Sequence, residues 1–265
     1  MNFTSNKPIL YNQGDWSDSE IVPPDEINTD LTVNGEYWIT LSCSPFQIEE
    51  LAIGFLFNEH ILTTKNDIVQ IWLCKDYSNI DVWLSHPTKK PDKWLRTSGC
   101  TGGNTTQSKS DESMLFHDGL LCPELIIKSF EILLTKQTHY RETRGIHSTM
   151  LTDGSDIRFF GEDIGRHNTL DKIAGMMLLN PRDWQRKIIF TTGRISSEML
   201  QKSAHLGAAT VVSRTSPTKA SIVVAQDLNI TLIGYVRSNQ FIIYSHPEYI
   251  AMTVPNQSEL KIICD

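Results

Sequence analysis

The sequence predicts an α/β protein (α+β overall), with a C-terminal three-layer α/β/α domain joined to a smaller N-terminal α+β domain. Three observations predict it. From residue 147 onward strand-like and helix-like runs alternate, the pattern of a sheet with largely parallel neighbours and helices on both faces. Residues 1–95 hold a different set, one tight hairpin, one amphipathic helix and two more strand-like runs. Between them the composition turns abruptly to Ser, Thr, Gly and Asn. The expected division is 1–95, a mobile cysteine-bearing loop over 96–120, and 121–265.

After a polar start with Pro23-Pro24, LTVNGEYWITL alternates apolar and polar residues about Asn34-Gly35, a dipeptide that tolerates the positive φ of a tight turn. From Pro45, Ile48, Leu51, Ala52, Phe55 and Leu56 recur at helical spacing, with Gln and Glu in the first turn where the helix dipole favours acids. IVQIWLC and IDVWLS return to strand-like composition. The stretch RTSGCTGGNTTQSKSDESMLFHDG is too polar to pack as a regular element and too long for a routine connector. PELIIKSFEILLTKQ then reads as a helix and HSTMLTDGSDIRFFG as a hairpin about Asp153-Gly154. The alternation that follows is TLDKIAGMMLL (helix), KIIFTTG (strand), SSEMLQKSAHLG (helix), ATVVSR (strand), TKASIVVAQDL (helix) and ITLIGYV (strand).

Charge and cysteine usage exclude several classes. The 265 residues carry 24 Lys plus Arg against 31 Asp plus Glu, a net charge of -7 that repels a phosphate backbone, so no nucleic-acid partner is expected. With no secretory leader pattern and no apolar run of membrane-spanning length, a cytoplasmic protein with no membrane partner is expected. The five cysteines, at 43, 74, 100, 122 and 264, are odd in number, scattered and without a C-x-x-C pair, so neither a disulfide framework nor a zinc site is indicated.

Several segments carry candidate chemistry. Cys100 sits in Ser98-Gly99-Cys100-Thr101-Gly102-Gly103, where small residues leave the sulfur unhindered and amides free to face an anion, as a persulfide carrier needs; an incidental loop cysteine would look the same. GEDIGRHNTLDK places Asp163, Arg166 and His167 where a hairpin hands over to a helix, a start that attracts phosphate. His167 and Asp171, four apart, would share a helix face, the carboxylate orienting the imidazole; plain capping by Glu162 or Asp163 is the competing reading. Thr191-Thr192-Gly193-Arg194-Ile195-Ser196-Ser197-Glu198 follows a strand and opens a helix, placing Arg194 at the carboxyl end of the sheet, although Ser196 also suits a simple cap. His147 would lie at the same edge. In Ser213-Arg214-Thr215-Ser216-Pro217-Thr218, Pro217 suits the first helical position. Tyr235, Val236, Arg237, Ser238, Asn239 and Gln240 join two strands with aromatic, basic and amide groups fit to grip a heterocycle and its phosphate, or merely form a hairpin turn.

Taken in order, G-x-H-S-T, GEDIGRHNTLDK, TTGRISSEMLQKSAHLGA, the S-R-T-S-P-T turn and LIGYVR...YSHPEYI resemble the FdhD family, the formate dehydrogenase accessory sulfurtransferases, from the Asn34-Gly35 hairpin to Ile250. The resemblance implies a C-terminal domain similar to the cytidine deaminase fold and a homodimer. It implies no deaminase chemistry: His147 is followed by Ser148-Thr149, and Thr192-Gly193-Arg194 stands where zinc-binding cysteines would be. It further implies sulfur transfer from a cysteine desulfurase, through a persulfide on Cys100, to the metal of a molybdenum (or tungsten) bis(molybdopterin guanine dinucleotide) cofactor required by formate dehydrogenase. The cofactor segment maps onto Tyr235 to Gln240, with His147, Asp163, Arg166, His167 and Arg194 around the nucleotide or pterin. Two departures stand out. Cys100-Thr101-Gly102-Gly103 replaces the family's C-G-x-C-G, leaving no second loop cysteine, and Asn239-Gln240 stand where Gly and a basic residue are common. The first departure keeps open a non-catalytic chaperone that only binds and delivers the cofactor.

Overall fold

The computed structural model describes residues 8–91, 95–96, 104–105, 114–182, 186–252 and 262–263. Ile9–Asn12 (β1) and Asp15–Asp18 (β2) form a hairpin within what the sequence marks only as a polar start; Gln13-Gly14 turn it at positive φ, and its side chains are exposed. Asn34 (φ 52°) and Gly35 (φ 79°) take the positive φ expected of them and join Ile27–Val33 (β3) to Glu36–Cys43 (β4). The helix Ile48–Asn58 (α1) follows, then Ile68–Leu73 (β5) and Asn79–Leu84 (β6). These strands make a four-stranded sheet, β4-β3-β6-β5. Alternate residues Leu31, Val33, Ile80 and Val82 point to one face, where Leu51, Phe55 and Leu56 of α1 cover them.

Two short strands pair with each other, Leu95–Arg96 (β7) and Asn104–Thr105 (β8). Leu120–Leu121 (β9) precedes the helices Pro123–Lys136 (α2) and His139–Thr143 (α3). The hairpin His147–Thr152 (β10) and Ile157–Asp163 (β11) leads into Arg166–Leu179 (α4). Then come Ile188–Thr191 (β12), Ser197–His205 (α5), Thr210–Ser213 (β13), Lys219–Asp227 (α6), Thr231–Arg237 (β14) and Gln240–Ser245 (β15). Ile262–Ile263 (β16) returns beside β9.

The second sheet has the order β11-β10-β12-β13-β14-β15. It is mixed, which corrects the expectation of largely parallel neighbours: only β12–β13 and β13–β14 are parallel. Helices α5 and α6 make crossovers between those strands, whereas both ends of the sheet are hairpins, and a hairpin can only pair antiparallel. On one face α2 sets Phe130 and Leu133 against Met150, Phe190 and Ile233. On the other, Leu170, Ile173 and Met199 of α4 and α5 cover Leu151, Ile189 and Val211. The three layers expected are therefore present. Thr218 caps α6, with Pro217 one residue before the cap and not at the first helical position.

Helix α1 crosses α4 without an intervening side chain. A methyl group on Gly54 would overlap the carbonyl of Asp171, and one on Gly175 would overlap that of Glu50. Glycine permits this close approach of two backbones. Among the described residues, no helix is long and apolar enough to cross a membrane.

Candidate functional site at the sheet edge

The carboxyl ends of β12, β13 and β14, the start of β10, the end of β11 and the first turns of α4 and α5 all lie at one edge of the six-stranded sheet. His147 is paired across the ladder with Asp163 and lies near Gly193, whose Cα faces both the His147 ring and the Arg166 side chain. Burial, then the charges of Arg166 and Arg194, push His147 below the usual histidine range. Arg166 is buried and Arg194 exposed.

Below this edge two ion pairs anchor α4. Asp163, fully buried, is 2.7 Å from Lys172 and accepts hydrogen bonds from the backbone N–H groups of Ser44 and Gly165 and from Asn168. It thus ties β4 to α4, with every contact made inside the protein. Asp171 lies 2.8 Å from Lys202 and accepts from Asn58 of α1. Burial opposes the Lys202 charge, but Asp171, Glu198 and Glu59 outweigh it and hold Lys202 above the usual lysine range.

These partners revise the sequence reading of His167. Asp171 is committed to Lys202, and the carboxylate that meets His167 comes from the neighbouring helix: Glu198 Oε2 is 3.2 Å from His167 Nε2, with Ser196 Oγ at 3.4 Å. Ser196 also caps α5 by accepting the Met199 N–H, so the capping reading holds there. Neither Glu162 nor Asp163 is the N-cap of α4, which is Gly165; Glu162 instead accepts the backbone N–H groups of Thr138, His139 and Tyr140 and fixes α3.

A cleft of about 350 Å³ opens at this edge, lined by Gln137, Tyr140, Arg144, His147, Thr192 and Arg214 among others. The 235–240 segment stands beside it. Arg237 donates from Nη1 to the Arg214 carbonyl at 2.6 Å and to the Val236 carbonyl at 2.8 Å, and the Tyr235 N–H bonds the Thr215 carbonyl. Tyr235 holds φ at 54° in a bulge of β14, which turns its ring outward to 42% exposure. Val236 points inward and packs with Phe190 and Ile233, while Ser238, Asn239 and Gln240 are exposed at the turn. The structure therefore brings His147, Arg166, His167, Arg194 and the 235–240 segment to one edge, with Asp163 beneath it.

Cys100 lies outside the described residues. Of the other cysteines, Cys43 and Cys122 are buried and Cys74 is exposed. Burial, then the Asp163 charge, pushes the Cys43 thiol up to about 11, so Cys43 lacks the accessible thiolate that sulfur chemistry needs, and Cys122 is shielded from solvent. Among the described residues no cluster of three or more His, Cys, Asp or Glu side chains is arranged to hold a metal ion.

The α2–α3 wall was not foreseen. Gln137, Tyr140 and Arg144 occur in a stretch with no glycine-rich or repeated motif, and only the buried Glu162 and Ser148 that hold them reveal that they face the sheet edge. Glu198 was visible only as the first turn of a capped helix.

The FdhD/NarQ family model matches residues 24–251. A sulfur carrier protein FdhD from Bacillus subtilis (strain 168) is 34% identical over 247 residues, covering 91% of this chain and 94% of that protein. A sulfur carrier protein FdhD from Staphylococcus haemolyticus (strain JCSC1435) is 33% identical over 259 residues, covering 92% and 96%. The crystal structure of a protein described as a formate dehydrogenase accessory protein from Desulfotalea psychrophila matches with a TM-score of 0.77 at 25% identity, over 92% of this chain and 98% of that one. With nearly its whole length aligned in sequence and in fold, the chain belongs to the FdhD/NarQ family.

Proposed function

We propose that this protein is a sulfur carrier that moves sulfur from a cysteine desulfurase to the metal of a molybdenum (or tungsten) bis(molybdopterin guanine dinucleotide) cofactor destined for formate dehydrogenase. The observation that carries the reading is the cleft: arginines, a neutral histidine and an aromatic ring at the carboxyl edge of the sheet, in a chain whose relatives are named sulfur carriers. Among the described residues lining it, none bears a carboxylate, which suits a cargo rich in phosphate. The cofactor is substrate here, not a resident group.

In this reading the Cys100 thiolate accepts the outer sulfur of the desulfurase persulfide and the donor thiolate departs. The S–S bond of the Cys100 persulfide then breaks: the outer sulfur goes to the cofactor metal, which gives it the two electrons that make it sulfide, and Cys100 leaves as its thiolate. Arg237, Arg214 and Arg194 hold the phosphates, and Tyr235 offers its exposed ring. The same reading takes the protein as a cytoplasmic homodimer.

A second reading is favoured by one specific feature, the single cysteine of Cys100-Thr101-Gly102-Gly103: the protein binds and delivers the cofactor without transferring sulfur. One experiment separates the two. After incubation with a cysteine desulfurase and cysteine, peptide mapping should find a reductant-labile added sulfur on Cys100 that disappears when the cofactor is supplied. A Cys100→Ala variant that binds cofactor and still yields active formate dehydrogenase makes the protein a chaperone.

A further inference from the structure

Two apolar surfaces lie open in the first 90 residues, far from the cleft. The first is the β1–β2 hairpin. Tyr11 pairs with Trp16 and Ile9 with Asp18, so these four side chains share one face of it, and the Tyr11 and Trp16 rings meet with centroids 4.9 Å apart. Ile9, Tyr11 and Trp16 are 43%, 58% and 54% exposed. The Ser19 N–H closes the hairpin on the Pro8 carbonyl. A two-stranded hairpin with neither face covered is marginal in water, so its order calls for a surface to lie on.

The second is the outer face of the four-stranded sheet, opposite the face that α1 covers. One rung crosses all four strands there: Tyr37 stands beside Thr32, Thr32 beside Asp81, and Asp81 beside Trp72. Trp83, the next outward residue of β6, has its ring 3.7 Å from where a Gly35 methyl would stand. Tyr37, Trp72 and Trp83 are 50%, 62% and 44% exposed. Scattered apolar side chains need no partner, but three aromatic rings gathered on one open sheet face mark a protein-binding surface.

Charge and position select the partner. From Pro8 to Glu20 the hairpin carries Asp15, Asp18 and Glu20 and no basic residue. The face is rimmed by Lys90, beside Lys89 in sequence, with its Nζ 5.0 Å from the centre of the Tyr37 ring and donating to the Tyr37 carbonyl at 2.9 Å. The acids on the face are engaged within it, Asp81 accepting the Gly35 N–H and Asp30 the Thr40 hydroxyl. An acidic aromatic arm therefore suits a basic-rimmed aromatic face. Within one chain the two are held apart. The arm joins β3 at Ile27, opposite Cys43, whereas Tyr37 and the Asn34-Gly35 turn lie at the other end of that strand, roughly 20 Å away. Pro24, in the joining segment, packs against Gly145, where a methyl group would come within 2.9 Å of the proline ring. A second copy presents the same face without that tether. The open apolar side chains of two arms and two faces amount to on the order of 1,000 Å², the area that a stable interface needs.

We propose that the 8–20 hairpin of one copy lies on the outer sheet face of a second copy, and reciprocally, with Tyr11 and Trp16 against Tyr37, Trp72 and Trp83 and with Asp18 toward Lys89 and Lys90. The exchange is isologous and closes at two copies. It gives the homodimer of the reading above its contact surface, and rests on that reading for the stoichiometry alone.

Sedimentation velocity of the full chain over a range of concentrations tests this with two double variants, Tyr11→Ser/Trp16→Ser in the arm and Tyr37→Ser/Trp72→Ser on the face. All four side chains are exposed, so both variants should keep the wild-type far-ultraviolet circular dichroism. Wild type should sediment as a dimer, and each variant should dissociate at least about tenfold more readily. Mixing the two variants should restore association, because the mixed pair brings an intact arm to an intact face and neither variant alone does. If both variants dimerise as wild type does, the exchange falls and the homodimer stands through another surface. Dissociation without recovery in the mixture also overturns the exchange, since an arm that packs on its own chain gives that result. If wild type is a monomer at every concentration, the exchange and the homodimer reading fall together.

Discussion

Gly193 lies against Arg166 with no room for a side chain: a methyl group there would stand 2.9 Å from Arg166 Cβ and 3.6 Å from His147 Nδ1. The glycine in the strand-to-helix turn is thus explained by packing. Replacing Gly193 with Ala must displace the start of α4, a buried overpacking that costs about 1–3 kcal/mol. Thermal unfolding should fall by several degrees, and binding of the proposed cofactor cargo should weaken with it. Unchanged melting and binding would show that Arg166 moves freely.

Lys202 and Asp171 form a buried pair reinforced by Asn58. Lys202→Met leaves the Asp171 charge uncompensated and should cost about 3–5 kcal/mol in denaturant unfolding; adding Asp171→Leu should recover part of that loss. Because the folded protein holds Lys202 above the ordinary value of 10.5, its contribution is complete below that value and is lost as pH rises through the folded pKa. Lys202→Met should therefore lack the alkaline fall in stability that this group gives wild type.

His147 titrates below the ordinary 6.5, so folding favours its neutral form. Its contribution to stability is present above the ordinary histidine range and declines as pH falls below it. A proton NMR titration should place the His147 midpoint below 6.5. His147→Gln should flatten the acid side of the stability profile, and a midpoint above the ordinary value would contradict the arrangement of Arg166 and Arg194 around it.

Thiol labelling of the native protein at neutral pH should modify Cys74 and spare Cys43 and Cys122, since the first is exposed and the others are buried. Denaturation should release the protected pair. Cys74→Ala should leave persulfide formation on Cys100 intact. Rapid native labelling of Cys43, held near 11 by burial and Asp163, would indicate opening between β4 and α4.

Local elements were legible because their chemistry is local. Asn34-Gly35 announced its turn, and Ile48, Leu51, Ala52, Phe55 and Leu56 announced the buried face of α1. Strand order was less legible: the pairing of Thr149 with Thr191 makes β10 antiparallel to β12, and nothing in either strand encodes that neighbour. The same limit applies to the site. His147, Arg166, His167 and Arg194 could be placed at one edge because each sits at a strand or helix end. Glu198 could not be assigned to His167, nor Lys202 to Asp171, because these contacts cross between helices and have no fixed sequence spacing. Glu162 misled for a related reason, since its three backbone partners lie 22 to 24 residues earlier.

The backbone contact of α1 with α4 at Gly54 and Gly175 has a mechanical corollary. With backbone against backbone at the crossing and Asn58 bonded to Asp171 beside it, the two helices transmit displacement like a single rigid beam, and Arg166 and His167 ride on the end of it. Shifting the first turn of α4 away from the four-stranded sheet would require prying that beam apart along its length. The arginine-bearing edge is thereby given a stiff support from behind.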